Sequence, residues 1–207
     1  MGQAIWYNDN CDYCYVPIHK NASSWARQFF KKEFEFTEHH MTFDEVRSLD
    51  KKYIIFLRDP IQRWVSGVTQ WYIQKAKQKY PHIVNTQYKI DPITFEMATE
   101  AVGIDAHTHP QTNFISPVRI DRTFFFNVSD KNFANNFQKF LSHKMNYNNS
   151  IPYRTNITNP MTLKGSISRQ LKSMLTDEYK EKIKSYYQQD ISLIEKCKFY
   201  SYTESAL

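Results

Sequence analysis

The feature that most constrains this chain is Tyr53-Ile54-Ile55-Phe56-Leu57, an unbroken apolar run between Lys51-Lys52 and Arg58-Asp59-Pro60. With no polar residue alternating through it, the run predicts a parallel strand buried on both faces. Asp59 then stands where a helix N-cap belongs, and Pro60 at the first helical position. Ile61, Trp64, Val65, Val68 and Tyr72 follow at helical spacing. Strand therefore passes to helix through one tight turn.

Two further segments repeat this pattern. Tyr13 to Ile18 reads as a short strand, His19 to Ser23 as a polar loop, and Trp25, Ala26, Phe29 and Phe30 as one face of a helix. Thr123 to Val128 reads as a strand, followed by a helix carrying Phe133, Phe137, Phe140 and Leu141. Two more helices close the chain, one around Ile167, Leu171 and Leu175, the other with Tyr179, Ile183, Tyr187 and Ile194. Strands alternating with helices predict a three-layer α/β domain with a mainly parallel central sheet flanked by helices. At 207 residues the chain has the size of a single domain, 1–207, with one substantial core. Phe and Tyr dominate an aromatic content of 16%. A packed core should absorb most of them, leaving few for a groove that stacks on sugars or bases.

A formal charge of +6 favours anionic partners, whether nucleotide, nucleic acid or a sulfated or phosphorylated acceptor. The charge is spread along the chain rather than gathered in a basic tail, so nucleic-acid binding is permitted but not indicated. No apolar run approaches the roughly 18 residues of a membrane span. Met1 to Asn10 lacks the basic and apolar regions of a signal peptide. Three cysteines make no disulfide framework, and Cys11-x-x-Cys14 is at most half a zinc site, with no second pair at finger spacing. Asn-x-Ser/Thr sequons begin at Asn21, Asn127, Asn148 and Asn156. A glycan at Asn21 would block the loop considered next, which fits a soluble, cytoplasmic setting, microbial or viral, unless an N-terminal anchor has been removed.

By the strand rule, ligands on such a sheet sit beyond the carboxyl ends of the strands. Two loops fall there. In Lys20-Asn21-Ala22-Ser23-Ser24-Trp25 a strand-to-helix turn aims amide N–H groups and a helix N-terminus at one point, an anion site to which Lys20 adds a charge and the serines hydroxyl donors. The Walker pattern G-x-x-x-x-G-K-[ST] is absent. In the second loop Arg58 ends the buried strand, and Asp59, Arg63 and Ser66 share the helix face opposite the apolar stripe. Arg58, Arg63 and Ser66 are thus expected to converge on one phosphate, the arginines through bidentate charge-assisted bonds.

Together the loops resemble those of the PAPS-dependent sulfotransferases (PAPS is 3′-phosphoadenosine-5′-phosphosulfate), in particular the carbohydrate sulfotransferases that include the heparan 2-O enzymes. Lys20 to Ser24 is similar to their 5′-phosphosulfate loop, often K-T-A-S-T. Arg58-Asp59-Pro60 with Arg63 and Ser66 is similar to their 3′-phosphate motif R-D-P-x-x-R-x-x-S. Asn21 and Trp25 depart from the usual residues. His107-Thr108-His109-Pro110-Gln111 resembles an H-W-x-P-Q element, with Thr108 replacing the tryptophan, and the stretch from Asn156 to Tyr187 and Asp190 has the family's general look.

The resemblance implies a P-loop-like fold and sulfuryl transfer from PAPS, leaving PAP, to a hydroxyl acceptor, which the family suggests is a glycan. Lys20 would stabilise the bridging oxygen as the sulfur–oxygen bond breaks. Amides of residues 21 to 25, with Ser23 and Ser24, would cradle the 5′-phosphate, while Arg58 and Ser66 would hold the 3′-phosphate. No metal would be needed, because Lys20 and the helix end can neutralise developing charge. His107 and His40 are the candidate bases, His107 having the fuller local match. A nucleotide kinase on the same fold and a basic nucleic-acid-binding protein without catalysis are the alternatives. The kinase would need the Walker loop and an acidic metal-binding strand end, and neither is found.

Overall fold

The run Tyr53–Leu57 is buried throughout, which only a strand covered on both faces permits. The computed structural model describes residues 2–79, 89, 90, 95, 96, 99, 106–152 and 162–201, with side chains of 75–79 excepted. The sequon at Asn156 lies outside the described residues. The chain divides into two compact units, residues 1–58, 111–154 and 193–207 in the first, and 59–110 and 155–192 in the second.

In the first unit, β1 (Gly2–Tyr7) turns into β2 (Tyr13–Val16), and α1 (Ser23–Phe34) leads through β3 (Thr37–Thr42) and α2 (Phe43–Ser48) to β4 (Lys52–Leu57). After α3 (Pro60–Lys79) of the second unit, the first resumes with the short α4 (Thr112–Ile115), β5 (Thr123–Asn127) and α5 (Phe133–Met145). The sheet order is β3-β1-β2-β4-β5. β2, β4 and β5 run parallel, as expected for strands joined by helical crossovers. β1 pairs antiparallel with both β2 and β3. The α/β class is therefore as expected, but the sheet is mixed rather than mainly parallel.

The antiparallel part has a local cause. Asn8-Asp9-Asn10 forms the hairpin turn, where the Asn8 side chain accepts from the Asn10 amide and the Asn8 carbonyl from the Cys11 amide. Asn and Asp favour such turns because their side chains bond to the backbone two residues on.

Alternate residues of the sheet feed two cores. Tyr13, Tyr15, Ile54, Phe56 and Phe126 pack with Phe29 and Phe30 of α1 and Phe133, Phe137 and Phe140 of α5. Cys14, Val16, Tyr53, Ile55, Leu57 and Phe125 pack on the other face with Val46 of α2, Ile115 of α4 and Leu193 and Ile194 of α8 (Gln188–Lys196). The first core is built largely of rings. Phe56 meets Phe126, Phe133 and Phe137 edge to face at 5.1–5.9 Å, the arrangement ring quadrupoles prefer. Most of the phenylalanines are thereby spent on packing.

The cysteine pair resolves the same way. Cys11 packs against the first core and Cys14 is sealed in the second. Burial pushes both thiols above the ordinary range.

The core of the second unit is helical among the described residues. Trp64, Val65, Val68 and Tyr72 of α3 pack with Ile167 and Leu171 of α6 (Leu163–Met174), with Leu175, and with Ile183 of α7 (Asp177–Tyr186) and Tyr187. Asp59 caps α3 as its position predicts, its carboxylate accepting from the Gln62 amide at 2.8 Å.

Candidate functional site

β2 leaves the sheet at Val16, and after six intervening residues α1 begins at Ser23. Within that turn φ is positive at Lys20 (68°) and at Ala22 (58°), with Asn21 at negative φ between them. Alternating signs of this kind curl successive N–H groups toward one side, the backbone form of an anion nest. Ala22 is the cap of α1 and makes no side-chain cap bond. A helix's first N–H groups have no intrahelical partners, and here the cap side chain meets none of them. Ser23 is buried and Ser24 exposed at its first positions. Trp25 turns inward, stacking on Phe29 and Phe56. Its side chain belongs to the core, leaving only its amide for the site.

Because β2 and β4 are adjacent and parallel, their carboxyl ends emerge side by side. Arg58 follows β4 directly, and its Nη1 donates to the Lys20 carbonyl at 2.9 Å. The carboxyl ends of the two strands are thus joined within the first unit.

What joins them further was not anticipated. Asn21 and Gln111 are both fully buried. The Asn21 amide donates to the Phe56 carbonyl at 2.7 Å and to Gln111 Oε1 at 2.5 Å. Gln111 Oε1 also accepts from the Arg58 amide, and its Nε2 donates to the Arg58 carbonyl, both at 2.9 Å. The Asn21 side chain is therefore a donor to protein, and its backbone amide donates to the Ile18 carbonyl at 3.2 Å, so neither group takes the ligand-facing role expected of this residue. The signal for Gln111 was present in the H-x-x-P-Q stretch, but nothing in that pattern says which groups the amide reaches.

His40 lies in β3, at the sheet's edge, paired with Ala4 of β1. Its side chain is 80% exposed, with Glu38 3.9 Å away. β3 is separated from β2 by β1, which at the usual strand spacing puts it about 10 Å from β2. His39, in contrast, stacks on Tyr7 at 3.9 Å.

In the second unit Arg63 departs from expectation. It is fully buried and close enough to the Tyr187 phenol to pull its pKa down against the effect of burial, so the helix face opposite the apolar stripe is covered at this position. The helical period locates the main packing face of α3, but it cannot show that Tyr187 approaches from a second side. Ser66 is half-buried.

His107, half-buried, sits in a stretch held at two points. Tyr187 Oη donates to the Thr108 carbonyl. Gly67 of α3 lies so close that a Cβ there would meet the His107 carbonyl oxygen and Thr108 Cγ2 at 2.8 Å. A glycine in mid-helix ordinarily costs about 1 kcal/mol relative to alanine. Gly67→Ala should nonetheless destabilise, because overpacking against backbone costs about 1–3 kcal/mol. Thermal unfolding of the variant tests this, and an unchanged or raised Tm would show that the contact relaxes freely.

The arrangement offers, in the first unit, a curled loop with a lysine, a helix start and an arginine at an adjacent strand end. That chemistry suits a phosphorylated or sulfated anion. The chain matches no protein-family model, no curated protein and no solved structure.

Proposed function

We propose that this chain is a PAPS-dependent sulfotransferase acting on a hydroxyl acceptor, a glycan by family resemblance, through a three-layer domain of the P-loop-like type. The observation that carries the reading is the alternating-φ loop at the end of β2, tied through its Lys20 carbonyl to Arg58 at the end of the parallel β4. In this reading the loop amides, Ser23 and Ser24 hold the 5′-phosphosulfate, and Lys20 faces the bridging oxygen. Arg58 and Ser66 take the 3′-phosphate, and buried Arg63 supports its unit rather than touching ligand. PAPS supplies the sulfuryl group. The acceptor oxygen bonds to sulfur as the bond from sulfur to the bridging oxygen breaks, the electron pair leaves with PAP, and a histidine takes the acceptor proton.

Thermal unfolding with PAP, 5′-AMP and a single-stranded oligonucleotide tests the reading. A ligand at 100 times its Kd stabilises by about 2.7 kcal/mol, and PAP should do so at concentrations where 5′-AMP and the oligonucleotide do little. Equal shifts from PAP and AMP, or a larger one from the oligonucleotide, would remove it.

The 3′-phosphate assignment has its own test. A hydrogen bond to a charged group is worth about 1.5–3 kcal/mol. Ser66→Ala and Arg58→Ala should therefore weaken PAP by about tenfold or more, and adenosine 5′-phosphosulfate (APS), which lacks the 3′-phosphate, by less. Ser66→Ala is the cleaner variant, since Arg58→Ala also releases the Lys20 carbonyl. Calorimetric titration decides it, and unchanged PAP affinity in both variants would overturn the assignment.

A further inference from the structure

β4 runs on past the point where its neighbour turns away. β2 ends at Val16, opposite Ile55, and the Leu57 carbonyl points to the other side, where it accepts from the Val128 amide. The Phe56 carbonyl and the Arg58 amide and carbonyl consequently face the gap that β2 leaves. An unpaired buried backbone group is costly. Here two side-chain amides fill the gap: Asn21 donates to Phe56, while Gln111 both accepts from and donates to Arg58. The Asn21–Gln111 bond links them into one ladder.

We infer that Gln111 is a positioning residue that continues the sheet in place of β2 and thereby fixes the anion loop and Arg58 relative to each other. Both orientations follow from chemistry. Asn21 Nδ2 meets two acceptors and Gln111 Nε2 meets a carbonyl, so neither amide can be flipped without setting like groups against each other. The Asn21 Oδ1 atom is buried with no partner among the described residues, so its side chain is held by what its nitrogen donates to. Gln111 thus acts on the nucleotide only through Asn21 and Arg58.

For its ligand the test rests on the sulfotransferase reading, and a second measurement is independent of it. In Gln111→Leu the loop and Arg58 are loosened together, so PAP and APS should weaken by the same factor, about tenfold. Ser66→Ala differs, since it should spare APS. Asn21→Leu should resemble Gln111→Leu, and the double variant should lose little more than either, because both break one ladder. Amide hydrogen exchange in the unliganded protein should be about tenfold faster at Arg58 in Gln111→Leu, with Ile54 unchanged.

If Gln111→Leu does not fold, Gln111→Glu replaces it. Its carboxylate still accepts from Asn21 and from the Arg58 amide but cannot donate to the Arg58 carbonyl, and PAP and APS should again weaken in parallel. Unchanged affinities for both, or loss of PAP alone, overturn the inference. Should the wild-type chain bind neither nucleotide, the sulfotransferase reading fails by itself. Exchange at Arg58 then decides Gln111, acceleration upholding its role and an unchanged rate removing it.

Discussion

Lys20→Ala should lower kcat by about 10²- to 10³-fold, the usual effect of removing one donor aimed at charge that develops in the transition state. The KM for PAPS should rise far less. Lys20 is held in the left-handed region with its carbonyl taken by Arg58, so its backbone position does not depend on its side chain. A left-handed non-glycine residue costs about 1–2 kcal/mol, strain that the turn between β2 and α1 retains. Lys20→Gly separates this strain from the chemistry. It should raise the unfolding free energy by about 1 kcal/mol yet lose as much kcat as Lys20→Ala. Interactions stronger in the transition state than in the ground state lower kcat, whereas uniform binding appears in KM alone. Steady-state kinetics of both variants give the answer, and a pure KM effect would reassign Lys20 to ground-state phosphate binding.

The parts of this site that were legible in the sequence are those with a local cause. The strand Tyr53–Leu57 declares itself by an unbroken apolar run and α3 by Asp59-Pro60, and the Asp59 cap is as expected. The turn from β2 into α1 is read from a polar segment between two apolar ones. β3 offers no such signal. Thr37 to Thr42 is polar at nearly every position and mostly exposed, and becomes a strand because β1 pairs with it along its whole length. The start of α2 carried a local signal that was not read, the capping box of Thr42 and Glu45.

Arg63 and Gln111 failed to be legible for a different reason. Helical period says which residues share a face, not what approaches the opposite one, and Tyr187 reaches Arg63 from a distant part of the chain. Gln111 answers a need created only by tertiary structure, the bare carboxyl end of β4 where β2 stops. A side-chain amide that repairs a backbone ladder cannot be told in sequence from one that faces solvent. Asn21, at a position where the resembling loops carry threonine, was out of pattern, as Trp25 was, and it belongs to that same ladder.

His107→Asn should cost about 10²-fold in kcat, the lower range for loss of a positioned general base, and leave PAP binding intact. His40→Asn should lose much less. The structure supplies a reason for the ordering beyond the sequence match. A base must be held still relative to the proton it takes, and the His107 stretch is pinned by Tyr187 on the Thr108 carbonyl and by the close approach of Gly67. The backbone of His40 is held by its ladder to β1, but its side chain stands 80% exposed at the edge of the sheet. The pH–rate profile distinguishes the roles. A histidine base works deprotonated, so turnover falls as pH drops through its pKa, and this acidic limb should vanish in His107→Asn but persist in His40→Asn. A histidine that serves structure alone would instead lower Tm and depress cofactor and acceptor steps together. If His40→Asn abolishes turnover while His107→Asn keeps most of it, the base is His40, and the exposed edge of the sheet must be where the acceptor arrives. If both variants remain active with the acidic limb intact, the proton goes to a carboxylate, Glu38 being the one beside His40. Because each outcome needs a turning-over enzyme, acceptor screening with glycan hydroxyls precedes the kinetics, and PAP affinity of both variants is measured first to show that the cofactor site has survived.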